Sequence, residues 1–168
     1  MRISETIRHE VWINAPRARV FEAITTREGL DVWWGRALNG RPEIDYVVEF
    51  EHGLGEPLRM QIVDLEPNAN LTWRCLADFS DPSNPSSEWR GHELRFDLKT
   101  TEGEPALEWM APRLGLDPSD PAALTILSFQ HAGWSDDARW FGFCNSGWGM
   151  AIGTLARYCE TGSRPDHA

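Results

Sequence analysis

The sequence contains no apolar run near the ~18 residues that a membrane-spanning helix needs, so none of its 168 residues is expected to enter a membrane. It begins Met1-Arg2-Ile3-Ser4-Glu5, without the apolar stretch of a secretory leader, and the expected location is cytoplasmic. Its three cysteines, Cys75, Cys144 and Cys159, are an odd number without CxxC spacing, which argues against a disulfide framework and a structural zinc site and for buried free thiols. Basic residues are scarce: 16 Lys and Arg stand against 26 Asp and Glu, a net charge of -10. Without a clustered basic face the chain lacks the means to neutralise phosphates, so nucleic acid is not an expected partner. Gly-rich phosphate loops, HExxH and GxSxG are absent too, which leaves the motif-bearing enzymes unsupported and no cofactor expected. The histidines His9, His52, His92, His131 and His167 are scattered, none with a His or Cys partner at helix spacing, so no metal site is expected.

What the chain has in excess is tryptophan, nine against two tyrosines, from Trp12 to Trp148. Indoles fill volume while offering one N–H, so they suit a core and the wall of an apolar pocket equally well. The length and the 41% apolar content fit one domain, residues 1–168, with no repeat or linker.

The C-terminal stretch Ser135 to Glu160 predicts a long helix, because Phe141, Cys144, Trp148, Ile152, Leu155 and Cys159 recur at spacings of three and four. Ser135 is the expected N-cap, Asp136 and Asp137 suit the positive end of the helix dipole, and Gly162 is the expected stop. Beside the apolar stripe runs a line of small residues, Gly142, Ser146, Gly149 and Gly153, although each helical Gly costs about 1 kcal/mol against Ala. Such a line implies either a close backbone approach or space left for a ligand.

Toward the N-terminus, Ile7–Asn14 reads as a strand and Ala15-Pro16 as the opening of a short helix over Arg17–Thr25, with Val20, Phe21 and Ile24 on one face. A second short helix follows Thr26 and ends at Trp33-Trp34-Gly35. Period-two patterns then predict strands at Tyr46–Glu51, Leu58–Glu66, Asn70–Ala77, His92–Thr100, Pro105–Ala111 and Leu124–His131. Gly53-Leu54-Gly55, Pro67-Asn68 and Glu102-Gly103 suit hairpins, whereas Asp81–Ser87 reads as a longer mobile loop and Pro112–Pro121 as an irregular insert. Alternation puts Met60 with Ile62, Leu71 with Trp73 and Cys75, Leu94 with Phe96 and Leu98, and Leu127 with Phe129 and His131 on inward faces. Trp12 has the opposite parity to Val11 and Ile13 and is expected to face solvent or another chain.

The order of elements resembles the helix-grip fold of the START-like or SRPBCC superfamily. More narrowly, Ile13-Asn14-Ala15-Pro16 with Val20-Phe21-Glu22-Ala23-Ile24-Thr25 and Trp33-Trp34-Gly35 is similar to the opening of bacterial proteins related to the activator of the heat-shock-ninety ATPase. Phe129-Gln130-His131-Ala132-Gly133-Trp134, Gly147-Trp148 and Leu155-Ala156-Arg157-Tyr158 resemble that family's closing strand and helix, so the likeness covers most of Ile7 to Thr161. It implies an α+β fold in which a strongly bent antiparallel sheet wraps a long C-terminal helix, with two short helices after the first strand and an apolar cavity inside.

On that fold, Trp34, Met60, Trp73, Trp109, Phe129, Phe141, Asn145, Trp148 and Ile152 would line one chamber, with Asn145 as its polar point; the same residues read equally as ordinary core. The expected function is binding of an apolar or aromatic small molecule. The alternatives are a co-chaperone-like module contacting a chaperone ATPase, and a cyclase- or hydrolase-like enzyme using His131 beside Asp136 and Asp137. A homodimer through the sheet face is also open. The bland reading of His131, a hydrogen bond at a strand end, is preferred, as is a core role for Cys144 over a nucleophilic one.

Overall fold

The first strand shows why the chain folds as it does. In β1 (Glu5–Ile13) the odd positions Ile7 and Ile13 are buried and the even positions Arg8 and Glu10 exposed, the period of a strand with one covered face. The computed structural model describes residues 5–51 and 55–163, so His52, His167 and most of the Gly53-Leu54-Gly55 turn lie outside the described residues. Two short helices follow. α1 (Arg17–Thr25) starts after Pro16, whose carbonyl accepts from Arg19 and Val20, and α2 (Arg27–Trp33) is capped by Thr26, whose hydroxyl accepts from Gly29 N at 3.1 Å.

Then come β2 (Val47–Phe50), β3 (Leu58–Glu66), β4 (Asn70–Cys75) and β5 (Glu93–Thr100), a third helix α3 (Leu107–Leu114), β6 (Thr125–Trp134) and the long helix α4 (Phe141–Thr161). The six strands form one antiparallel sheet in the order β1-β6-β5-β4-β3-β2, with a register shift in β3 between Ile62 and Asp64. β1 and β2 are thus the two edges, and the α1–α2 pair that joins them also packs on α4. The curled sheet and the helix pair together close around α4, as the helix grip implies.

The inward faces expected from alternation are buried: Met60, Ile62, Leu71, Trp73, Cys75, Leu94, Phe96, Leu98, Leu127, Phe129 and His131. α4 answers them with Cys144, Trp148, Ile152, Leu155 and Cys159. Each large apolar side chain so buried contributes about 1.5–3 kcal/mol.

Four expectations are corrected. α4 begins at Phe141, not Ser135, because Ser135–Trp140 folds into a turn in which the Ser135 carbonyl accepts from Ala138 N. The amides of Arg139 and Trp140 donate to the two carboxylate oxygens of Glu88, both at 2.9 Å, so the helix entrance is capped from a segment fifty residues upstream. The predicted strand Pro105–Ala111 is instead helix α3, whose buried Leu107 and Ala111 are four residues apart, and it runs past Pro112 to end at Gly115, where φ is 68°. Asp81–Ser87 is built rather than loose: Asn84 is buried, its side chain accepts from Ser86 N at 2.9 Å, and a 3-10 turn spans Pro85–Glu88. β6 continues past His131 to Trp134.

The outer face of the sheet carries its own small cluster. Leu107, Ala111, Leu116 and Leu124 are buried there with Trp12 packed against them, so the partner of Trp12 is α3 of the same chain.

Candidate functional site

Between sheet and α4 the space is filled with indoles. Trp34, at the C-terminal end of α2, stacks on Trp148 of α4 at 5.2 Å and on Trp73 of β4 at 5.4 Å between ring centroids, and meets Phe50 of β2 edge-on at 4.4 Å. Trp89 continues the stack 5.9 Å from Trp148 and 6.4 Å from Trp34, its ring within 5° of parallel to the latter. Phe129 closes on Trp148 at 4.5 Å. Offset stacking and edge-to-face contact at these distances are the favoured aromatic geometries, worth about 0.5–1.5 kcal/mol a pair beyond area burial.

The opening to solvent lies at one end of this stack, as two clefts that share Trp34, Ser86 and Trp89. One, of about 240 Å³, runs along Phe50 and Leu58; the other, of about 320 Å³, runs along Cys144, Trp148 and Ala151 under the exposed Phe143. Of the residues the sequence proposed for one chamber, Trp34 and Trp148 line these two clefts. Met60, Trp73, Phe129 and Ile152 are fully packed in the core. Phe141 lies against Trp134 at 5.6 Å. Asn145 is spent on His9, whose Nε2 lies 2.9 Å from Asn145 Oδ1 and 3.1 Å from its carbonyl, a bifurcated donation that ties β1 to α4. Trp109 sits on α3, 59% exposed, with the Arg113 guanidinium 3.7 Å from its ring centroid, and takes no part in the interior.

Trp89 and Ser86 were not singled out in the sequence because they belong to a Pro-, Ser- and Asn-rich stretch whose composition signals a loop. Trp89 is nevertheless buried, and among the described residues its Nε1 finds no oxygen or nitrogen acceptor; what it meets is the Cys144 thiol, a weak acceptor. Trp73 Nε1 and Trp134 Nε1 are likewise buried and unpaired. A buried donor left without a good acceptor costs about 1–3 kcal/mol.

The small-residue line on α4 borders solvent, with Gly142, Ser146 and Gly149 exposed, and faces neither an interior cavity nor a close backbone. A Cβ built on Gly142 or Gly153 meets nothing within 4 Å, while one on Gly149 would stand 3.3 Å from His9 Cε1.

The titratable groups of the interior are held neutral. His131 is wholly buried; its Nε2 lies 3.0 Å from His92 Nδ1 and its Nδ1 accepts from Trp148 Nε1 at 3.0 Å. Its partners are thus a second histidine and an indole, in place of the carboxylates that the enzyme alternative needs. Burial, then the neighbouring His92, pushes its pKa down to about 2, and burial also lowers that of His92, with Glu88 opposing. Both ring nitrogens of His131 are engaged, and the ring has no exposed surface. Burial pushes the thiols of Cys75 and Cys144 up to about 11 and that of Cys159 up to about 12, far from a reactive thiolate. Among the described residues no three His, Cys, Asp or Glu side chains come together to hold a metal, and no helix is long and apolar enough to cross a membrane.

Neither a protein-family model nor a curated protein matches the chain. Solved structures do. The solution structure of an Aha1 dimer from Colwellia psychrerythraea is 22% identical with a TM-score of 0.70, covering 94% of this chain and 98% of that one. A solution structure from Bacillus halodurans is also 22% identical, with a TM-score of 0.66 over 95% of this chain and 99% of the other. DynU16, from the dynemicin biosynthetic locus, is 19% identical with a TM-score of 0.65, covering 95% of this chain but 48% of its own. These likenesses establish the fold alone, an Aha1-like helix grip.

Proposed function

We propose that this helix-grip domain binds an apolar, aromatic small molecule at the paired clefts around Trp34 and Trp89. The observation that carries the reading is Trp89 itself: it walls both clefts, is buried, and keeps an indole N–H that meets only the weakly accepting Cys144 thiol among the described residues. Aromatic walls with a few placed polar groups are the usual make-up of small-molecule sites. A ligand that binds only the folded state raises its stability by RT ln(1 + [L]/Kd). Native mass spectrometry of freshly purified protein, followed by thermal denaturation against a broad library of apolar compounds, tests the reading. Co-purified mass or a saturable rise in Tm supports it; no shift across the library counts against it.

A second reading concerns assembly. From Trp140 to Ala156 the chain carries no charged residue, and on the outer side of α4 Phe143 is 62% and Met150 75% exposed. In a protein of net charge -10, a charge-free helix face is where two copies repel each other least. The Aha1 structure from Colwellia is described as a dimer. Self-association through α4 is therefore proposed, with sedimentation analysis of the wild type and Met150→Glu as its test. A monomer at all accessible concentrations rules it out.

A further inference from the structure

Each cleft alone is small, about 240 Å³ and about 320 Å³, at the lower edge of the ~300–1,000 Å³ common for ligand pockets. Trp34 lines both of them. Its ring is clasped by aromatic faces, stacked on Trp73 and on Trp148 with interplanar angles of 19° and 27°, in the manner of a bound flat molecule. Yet it is only partly buried, whereas Trp33, Trp73 and Trp148 are 3%, 0% and 2% exposed. Its attachment is also light. Trp33 anchors the end of α2 through its indole N–H to the Ala23 carbonyl at 2.9 Å, but Trp34 stands one residue beyond the helix, and among the described residues its side chain makes no hydrogen bond. Gly35 follows, and a Cβ there would meet nothing within 4 Å, so the chain just after Trp34 is not packed in on that side.

We propose that Trp34 is the site's own occupant: the two clefts are halves of one binding chamber that its indole fills in the free protein and vacates when ligand enters. The claim rests on the ligand-binding reading above and adds how the site opens and what it selects. The molecule that takes the place of Trp34 is a flat aromatic, because the vacated slot is walled by the faces of Trp73 and Trp148. It carries a hydrogen-bond acceptor, because Trp89 Nε1 on the shared wall is a buried donor that meets only the weakly accepting Cys144 thiol among the described residues. Affinity in the free protein is then reduced by the fraction of time Trp34 spends in its slot.

The test uses the full chain and two neutral probes of nearly equal shape, 2-acetylnaphthalene with an acceptor and 2-isopropenylnaphthalene without one. In wild-type protein labelled with 5-fluorotryptophan, the fluorine resonance identified by its loss in Trp34→Phe moves to a solvent-exposed position in step with saturation by the ketone. Trp34→Ala binds the ketone at least tenfold more tightly than wild type, since the internal competitor is gone; if that variant fails to fold, Trp34→Leu carries the same comparison. The ketone is preferred over the hydrocarbon by about tenfold, the worth of one hydrogen bond, and Trp89→Phe abolishes the preference. A Trp34 resonance that stays in place while the ketone binds overturns the displacement and leaves the ligand-binding reading standing. Equal affinity for the two probes overturns the acceptor. Failure of both probes and of a broad apolar library to bind either wild type or the Trp34 variants removes the ligand-binding reading itself, and this inference with it.

Discussion

Trp148 on α4 donates its indole N–H to His131 Nδ1 on β6 at 3.0 Å, and that one bond sets the protonation of two histidines. An indole nitrogen only donates, so His131 Nδ1 must be bare and its proton must sit on Nε2. Nε2–H then donates to His92 Nδ1 at 3.0 Å, which leaves His92 neutral as well. A charged His131 would have to turn an N–H against the indole N–H or abandon the bond.

The first prediction is a pH profile. Both histidines have folded-state pKa values lowered from 6.5, His131 to about 2, so the folded protein binds fewer protons than the unfolded chain. The stabilisation is therefore complete above pH 6.5 and is lost as pH falls below it. Unfolding free energy from urea titration should be flat between pH 8 and 7 and then fall by about 1.4 kcal/mol per pH unit for each histidine involved. A His131→Asn variant should be less stable at pH 8 but show a shallower slope. An unchanged slope in that variant would assign the acid sensitivity elsewhere.

Trp148→Phe keeps an aromatic ring against Phe129 and Trp34 but deletes the donor to His131. It should cost about 1–3 kcal/mol for the orphaned Nδ1, plus the lost indole volume. A loss below 0.5 kcal/mol in chemical denaturation (about the error of such a comparison) would show that water replaces the indole N–H.

Glu88→Ala removes both carboxylate oxygens from the entrance of α4. The expected cost is about 0.5–2 kcal/mol, in the range of lost helix caps. Amide exchange should accelerate at Phe141 to Cys144 before it does so at the far end of α4. Uniform acceleration along the helix would contradict a local cap.

Gly153→Ala should stabilise the protein by roughly 0.5–1 kcal/mol, since the site is in a helix interior and the new methyl meets no neighbour. Gly149→Ala should gain less or lose, because its methyl stands 3.3 Å from His9 Cε1 and His9 is held by Asn145. Equal gains at both positions would mean that the His9 ring yields freely.

Much of the fold is legible in the sequence because its signals are local. The stripe from Phe141 to Cys159 dictates the face that α4 buries, and alternation from Met60 to Leu98 dictates the sheet's inward side. The helix start is not legible, since Ser135 offers a sound cap and the group that overrides it, Glu88, is fifty residues away in the chain. The segment around Trp109 misleads for a related reason: Leu107 and Ala111 fit a helix and Pro112 argues against one, and only docking against Trp12 decides between them. At the candidate site, Trp34 and Trp148 are visible through the motifs that contain them. Trp89 is hidden by a turn-like composition that the fold uses to carry a buried ring.

The placement of Trp12 beneath α3 has a bearing on how firmly β1 is held at its edge of the sheet. β1 bonds to β6 alone, and a strand with one neighbour is the kind that slips. A slip of one residue would exchange its faces, drawing Trp12 into the main core and sending Ile7 and Ile13 outward. With Ile7 and Ile13 committed on one side and Trp12 on the other, the strand is keyed from both sides, and α3 serves as the outer wall of that lock.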